Sequence, residues 1–212
     1  NNLLAVFALL ITSCSDVNNS KNFEVSLHDK PLLEVRTQPR PLPNPDKNAY
    51  FGDLHVHTEN SFDAYTFGTI STPVDAYKYA RGHAIQHPSG YLIQLSRPLD
   101  FYAVTDHGVF MGLMKEAADT TSEFSKYEFT KPLHNLNESG GTGFLDLIKR
   151  GGLFRPFGEK VREGVADGTI DESLILEVGR TVWQKTIKAA DDAYVPGTFT
   201  TFAAYEYTSS FE

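Results

Sequence analysis

The chain has 212 residues, 41% of them apolar and 22% charged, a composition that sets it among globular sequences and excludes a wholly disordered one. Its formal net charge is −8 and its pI about 5.3, with no Lys/Arg-rich stripe, so a nucleic-acid partner is not expected. The single cysteine, Cys14, allows no internal disulfide.

In chain order, residues 3–11 come first, an apolar run of nine that is too short to span a bilayer, which needs about 20. The run fits the apolar region of a secretory signal. It ends in Ile11-Thr12-Ser13-Cys14, which is similar to a bacterial lipobox with Cys14 as the lipidated residue. The expectation is a lipoprotein signal peptide over residues 1–14. The mature protein would then be lipid-anchored in the bacterial cell envelope, periplasmic or at the cell surface, with no other membrane contact. A buried N-terminal strand with a free thiol is the alternative. Residues 15–47 read as a tether, polar at first, then extended and polyproline-like through Pro39, Pro41, Pro43 and Pro45. A folded domain is expected over 48–212. The absence of an initial Met and the stop soon after a strand-like run make the chain read as a fragment.

Asp53-Leu54-His55-Val56-His57-Thr58 reads as a short buried strand. Residues two apart in a strand share a face, roughly 6–7 Å apart, so His55 and His57 would converge on one metal ion with Asp53 on their side. Leu54 and Val56 would face apolar packing. The polar stretch 58–64, carrying Asp63, reads as the loop beyond that strand. Thr72, Pro73 and Asp75 have the spacing of an N-cap, first position and capping box, predicting a helix through Ala76, Tyr77 and Ala80 that stops at Gly82. His83 and His87 are four apart, but Gly82, Pro88 and Gly90 around them favour a loop or hairpin over a chelating helix.

Phe101-Tyr102-Ala103-Val104-Thr105 is an apolar run of the kind found in buried parallel strands, and it ends in Asp106-His107-Gly108. The C-terminal ends of such strands are where α/β folds carry their sites. Residues 109–195 read as mostly helical. Asp171 is a candidate cap for a helix whose Ile175, Val178, Val182, Thr186 and Ala189 follow one face. Trp183 reads as a core residue. Gly140-Gly141-Thr142-Gly143 and Gly151-Gly152 lack the Lys-Ser/Thr of a phosphate loop and read as turns, and His28 and His134 read as surface residues. After a turn at Pro196-Gly197, residues 198–205 read as a third strand that delivers Glu206.

Three strands thus bring His55, His57, Asp63, His107 and Glu206 forward as candidate metal ligands. Mixed imidazole and carboxylate donors suit Zn, Mn or Fe better than Ca or Mg. A carboxylate such as Glu206 can bridge two ions. Two ions need roughly eight ligand positions, so the remainder would come from downstream residues, water or substrate.

Phe51-Gly52-Asp53-Leu54-His55-Val56-His57-Thr58, Arg97-Pro98-Leu99-Asp100-Phe101, Thr105-Asp106-His107-Gly108 and Thr200-Thr201-Phe202 with Tyr205-Glu206-Tyr207-Thr208 resemble the PHP (polymerase and histidinol phosphatase) superfamily. The best match is its domain-of-unknown-function family 3604 branch. The resemblance implies an α/β fold, here an incomplete distorted (β/α)7 barrel with a long helical insertion at about 109–195. It implies two or three divalent metal ions, Zn, Mn or Fe. His55 and His57 match the first ligand pair, His107 the His of the Thr-Asp-His motif, and Glu206 the bridging Glu. Asp63 stands one residue away from the usual Ser-Asp-Gly pattern because Phe62 separates it from Ser61. Asp53 and Asp106 would orient the histidines or water.

The expected function is a metal-dependent hydrolase, a phosphoesterase using a metal-activated hydroxide on a small phosphorylated substrate. An amide, lactone or sulfate-ester hydrolase on the same site is one alternative, and a non-catalytic metal-binding envelope lipoprotein is another. The fragment alone is expected to be inactive.

Overall fold

A computed structural model describes residues 47–138 and 143–209, together with Leu42, Asn44 and Pro45. The expected signal peptide over residues 1–14, Cys14, His28, most of the expected tether, and Gly140, Gly141 and Thr142 lie outside the described residues. Within them the chain runs through β1 (Gly52–Asp53), α1 (Phe62–Thr66), α2 (Pro73–Ala80), β2 (Ile85–Gln86), β3 (Leu92–Ile93) and β4 (Phe101–Val104). It continues through α3 (Leu113–Ala118), two 3-10 turns (Phe124–Lys126 and Glu128–Leu133), α4 (Phe144–Asp167), α5 (Glu172–Ala193) and β5 (Thr200–Ala203). No helix among the described residues is long and apolar enough to cross a membrane.

The main sheet is parallel, in the order β1-β4-β5, with Gly52 opposite Phe101 and Phe101 opposite Thr200. Parallel strands need long crossovers, and here α2 with the β2–β3 hairpin supplies one and the helical stretch 113–193 supplies the other. The fold is therefore mixed α/β, and no closed barrel is present among the described residues. The β1–β4 approach is close: a Cβ on Gly52 would overlap both the ring and the carbonyl of Phe101, so glycine is required there.

Two apolar clusters hold the layers together. One joins Ala76, Tyr77 and Ala80 of α2, Tyr102 and Val104 of β4, and Ala189, Ala190 and Ala193 of α5. The small alanines let both helices sit close to the sheet. Tyr77 fills the remaining space, and its buried hydroxyl donates to the Phe202 carbonyl of β5 at 3.2 Å. The second cluster lies among the helices, where Leu113, Met114 and Ala117 of α3 meet Phe124, Leu133, Phe157, Val161 and Ile170.

Local signals account for several elements. Thr72 caps α2 with the expected reciprocal capping box to Asp75, and Pro73 is its first residue. Asp171 caps α5 by accepting the Ser173 N–H, and Val182, Thr186 and Ala189 are buried along one face. His83 and His87 flank a hairpin strand, with His87 stacked on Tyr91 at 4.3 Å.

Five expectations change. The opening strand is only Gly52–Asp53 and is exposed, and residues 55–58 continue past it as irregular chain. Side chains take over from the ladder there: Asp53 accepts the His55 N–H at 2.9 Å, and the Thr105 hydroxyl accepts the Val56 N–H at 2.8 Å. Val56 packs on the first cluster, whereas Leu54 is exposed. Gly151 and Gly152 are not a turn but lie inside the 24-residue α4 with Pro156. Their poor helix propensity, about 1 kcal/mol each for glycine, is outweighed by burial of Phe157 and Val161. His134 is half-buried and shares a hydrogen bond with the Ser125 carbonyl at 3.1 Å. Trp183 belongs to neither cluster and is half-buried beside Tyr205. At Pro45 a turn stands where an extended chain is expected, the Lys47 N–H donating to the Asn44 carbonyl at 3.1 Å.

Arg150 is the buried charge that fastens α4 to the rest. Its guanidinium donates to the carbonyls of Thr66 and Leu136 at 2.9 and 2.8 Å, and to Asn137 Oδ1 at 2.6 Å. Replacing it by Met leaves these acceptors without that donor and should cost about 3 kcal/mol in urea unfolding. Arg155→Met, at a side chain 88% exposed beside Glu159, should change stability by no more than about 0.5 kcal/mol.

Candidate metal centre

The centre is assembled where β4 and β5 end. Asp106 follows β4 and is almost completely buried, 1% exposed. Its carboxylate accepts both the backbone N–H of Thr58, through Oδ1, and the Thr58 hydroxyl, through Oδ2 at 2.7 Å. This pair fastens the segment carrying His55 and His57 against the end of β4. Burial pushes the Asp106 carboxyl above its ordinary range, against the pull of the Thr58 hydrogen bonds and of His57. Next to it, His107 and Glu206 form a parallel bridge, the Gly108 N–H donating to the Glu206 carbonyl at 3.0 Å.

The five candidate ligands come together. His55 Nε2 and His57 Nε2 lie 2.9 and 2.7 Å from the same oxygen, Glu206 Oε2. On its other side, His57 Nδ1 is 3.2 Å from both Asp63 oxygens, and His107 Nε2 is 3.5 Å from Asp63 Oδ2. Glu206 Oε1 is 3.7 Å from His107 Nδ1. Two groups can each hold a metal ion: His55, His57 and Glu206, and His57, Asp63 and His107, with one ligand atom per residue within 4.8 Å of the others. The side chains of His57 and His107 are 17% and 14% exposed, whereas that of His55 is 74% exposed.

Hydrogen bonding fixes which nitrogen of His57 is free. The Ser61 hydroxyl donates to Asp63 Oδ1 at 2.5 Å, so near His57 Nδ1 both the Ser61 oxygen, at 3.1 Å, and Asp63 can only accept. Nδ1 therefore carries a proton, an assignment made from its partners. Neutral His57 then turns its Nε2 lone pair toward a carboxylate oxygen 2.7 Å away, where His55 Nε2 also arrives. Lone pairs facing one another at this distance repel unless a proton or a cation lies between them. The ionisation of the ion-free chain expresses the same demand. Burial opposes charge on His57, but the Glu206 hydrogen bond and the Asp63 charge outweigh it and raise its pKa. Asp63 is held below its ordinary value despite burial, chiefly by the Ser61 and Ala64 N–H hydrogen bonds. Glu206 is also lowered, desolvation being overcome by His57, His107 and His55.

Each expected site residue has a definite place. Asp63 reaches the centre although Phe62 separates it from Ser61, because Ser61 is the N-cap of α1 and Asp63 sits in its first turn. Phe62 stacks on Phe154 and packs 5.1 Å from the His107 ring. Asp53 contacts the backbone of His55 and not its ring. Sequence reasoning missed the hydroxyls that hold the ligands: Thr58, Ser61, Thr105, and Thr208, whose Oγ1 is 2.6 Å from His107 Nδ1. Their signal was adjacency, a Ser or Thr within two residues of a ligand or of Asp106.

Zinc titrations should separate the residues. Glu206→Gln and His57→Ala should each weaken binding at least about 100-fold, because both Nε2 atoms converge on Glu206 and His57 belongs to both groups. His107→Ala should leave the first group able to bind. Affinity should be highest above the raised pKa of His57 and fall as the pH drops through it, because the proton on Nε2 must leave before zinc binds.

A family model described as "Protein of unknown function (DUF3604)" matches residues 44–212, most of the chain. No curated protein and no solved structure matches it significantly. The strands and loops that build the metal centre all lie inside the matched segment, and the chain belongs to the DUF3604 family.

Proposed function

We propose that this chain carries part of the metal centre of a hydrolase acting on phosphate esters, of the kind found in the PHP superfamily. The observation that supports it best is the meeting of His55 Nε2 and His57 Nε2 at one Glu206 oxygen, beside a second group of Asp63 and His107. Such a set has borderline nitrogen donors and hard oxygen donors together, which suits Zn, Mn or Fe. On this reading two or three ions are held, and the parallel sheet is part of a distorted (β/α)7 barrel. Bound there, the ions would supply Lewis acidity, acidify a water at neutral pH and offset the charge of a phosphoryl group in transfer.

The residues divide the remaining tasks. Glu206 Oε2 meets the Nε2 atoms of both His55 and His57, so this carboxylate oxygen would share an ion with them. Asp63 and Ser61 keep the His57 proton on Nδ1, leaving Nε2 for a cation. The Thr208 hydroxyl meets His107 Nδ1, and His107 Nε2 lies on the side of Asp63. Asp106 and Asp53 act on the backbone, fixing Thr58 and the His55 amide. The substrate's phosphate would approach from the exposed side of His55. Cys14 lipidation would hold the enzyme in the cell envelope.

The test is turnover of phosphomonoesters by the full-length protein loaded with Mn or Zn, alongside amide, lactone and sulfate-ester substrates. Phosphate release should fall at least about 1,000-fold in the His55→Ala/His57→Ala double variant, with its fold checked by circular dichroism. Full turnover in that variant, or hydrolysis confined to the other ester classes, would sink the phosphoesterase reading.

A further inference from the structure

A cleft of about 460 Å³ opens beside the metal centre, a size in the range of small-molecule sites. Val109 and Met111, just after β4, form one wall, and Gly179 and Trp183 of α5 form another. The segment after β5 completes it with Tyr205 and Glu206. Glu206 is thus shared: its carboxylate belongs to the metal centre and its residue lines the cleft. Thr208 is shared in the same way, lining the cleft while its hydroxyl meets His107.

The walls select a class of occupant. The rings of Trp183 and Tyr205 stand 5.9 Å apart at 88°, so they make a right-angled corner. A flat group lying parallel to one ring meets the other edge-on, and both are favourable aromatic geometries. Among the described residues no Lys or Arg lines the cleft, and the one charged residue lining it is Glu206, so an anionic group gains nothing there without a cation. The cleft therefore suits the neutral end of a substrate whose anionic end meets the metal ions. Gly179 makes room: a Cβ at that position would meet no atom within 4 Å.

We infer that the cleft is a subsite for a planar apolar group, and that the substrates are phosphate esters of aryl or similarly flat alcohols. The placement of the phosphate rests on the function proposed above, but the aryl subsite does not.

Trp183 is the only tryptophan of the chain, so its fluorescence reports on the cleft directly. The probes are phenol, phenylphosphonate and methylphosphonate, each titrated with and without zinc, a closed-shell ion. Phenol and phenylphosphonate should change the emission saturably and methylphosphonate should not. Zinc should tighten phenylphosphonate by about tenfold or more and leave phenol unchanged. Gly179→Leu should abolish the phenol response while zinc retention stays at the level of the unsubstituted chain. Leu is the better helix former, so this variant does not threaten α5. Equal responses to aryl and methyl probes, or undiminished phenol binding in Gly179→Leu, would overturn the subsite. A phenol response with no zinc gain for phenylphosphonate would keep the aryl subsite and overturn the phosphate-ester assignment.

Discussion

The buried carboxylate of Asp106 holds the Thr58 backbone and hydroxyl together, and the candidate metal centre depends on that contact. His57 precedes Thr58 and His107 follows Asp106, so one pair of hydrogen bonds brings two ligand-bearing segments side by side. A carboxylate accepting two donors in a nearly dry position is expensive to leave half-paired, at about 1–3 kcal/mol for each group stranded. The arrangement is therefore close to all-or-none: either both bonds form and the histidines converge, or the segment after β1 is released. The short strand β1 makes this necessary, since two ladder residues alone fix little.

From that contact outward, fold and site share the same supports. β4 is central, buried, and paired on both sides, so the residues after it start from a rigid position. Tyr77 bridges from α2 to β5, which carries Glu206 toward the histidines. Around the ligands, hydroxyls and amides hold each ring or carboxylate by the atom not needed for a cation: Ser61 at Asp63, Thr208 at His107, the Asp53 side chain at the His55 amide. The inner face is where a proton or a cation is needed, with His55 Nε2 and His57 Nε2 both meeting Glu206 Oε2.

Much of this was legible in the sequence wherever a local rule decides the outcome. The capping box at Thr72 and Asp75, the Asp171 cap and the apolar run of β4 are such cases. The DUF3604 branch was legible from motif residues and is matched by the family model. Tertiary competition decided the rest. The strand at residues 53–58 was read too long because Asp53, Thr105 and Asp106 capture backbone groups that a ladder would otherwise use. Gly151 and Gly152 read as a turn because propensity says nothing of the burial of Phe157 and Val161 further along the same helix. Trp183 was assigned to the core because a helical face drawn from sequence does not reveal that Gly179, one turn earlier, opens a cleft beside it. The place of Asp63 needed the N-cap at Ser61, which turns the chain so that the extra Phe62 is absorbed by stacking on Phe154.

X-ray absorption at the zinc edge of the zinc-loaded chain tests the central claim most directly. The account predicts a shell of nitrogen and oxygen neighbours at about 2.0–2.1 Å, with the outer scattering of at least two imidazoles. That imidazole scattering should be lost in His55→Ala/His57→Ala. An all-oxygen shell without imidazole, or one unchanged by the double substitution, would contradict it.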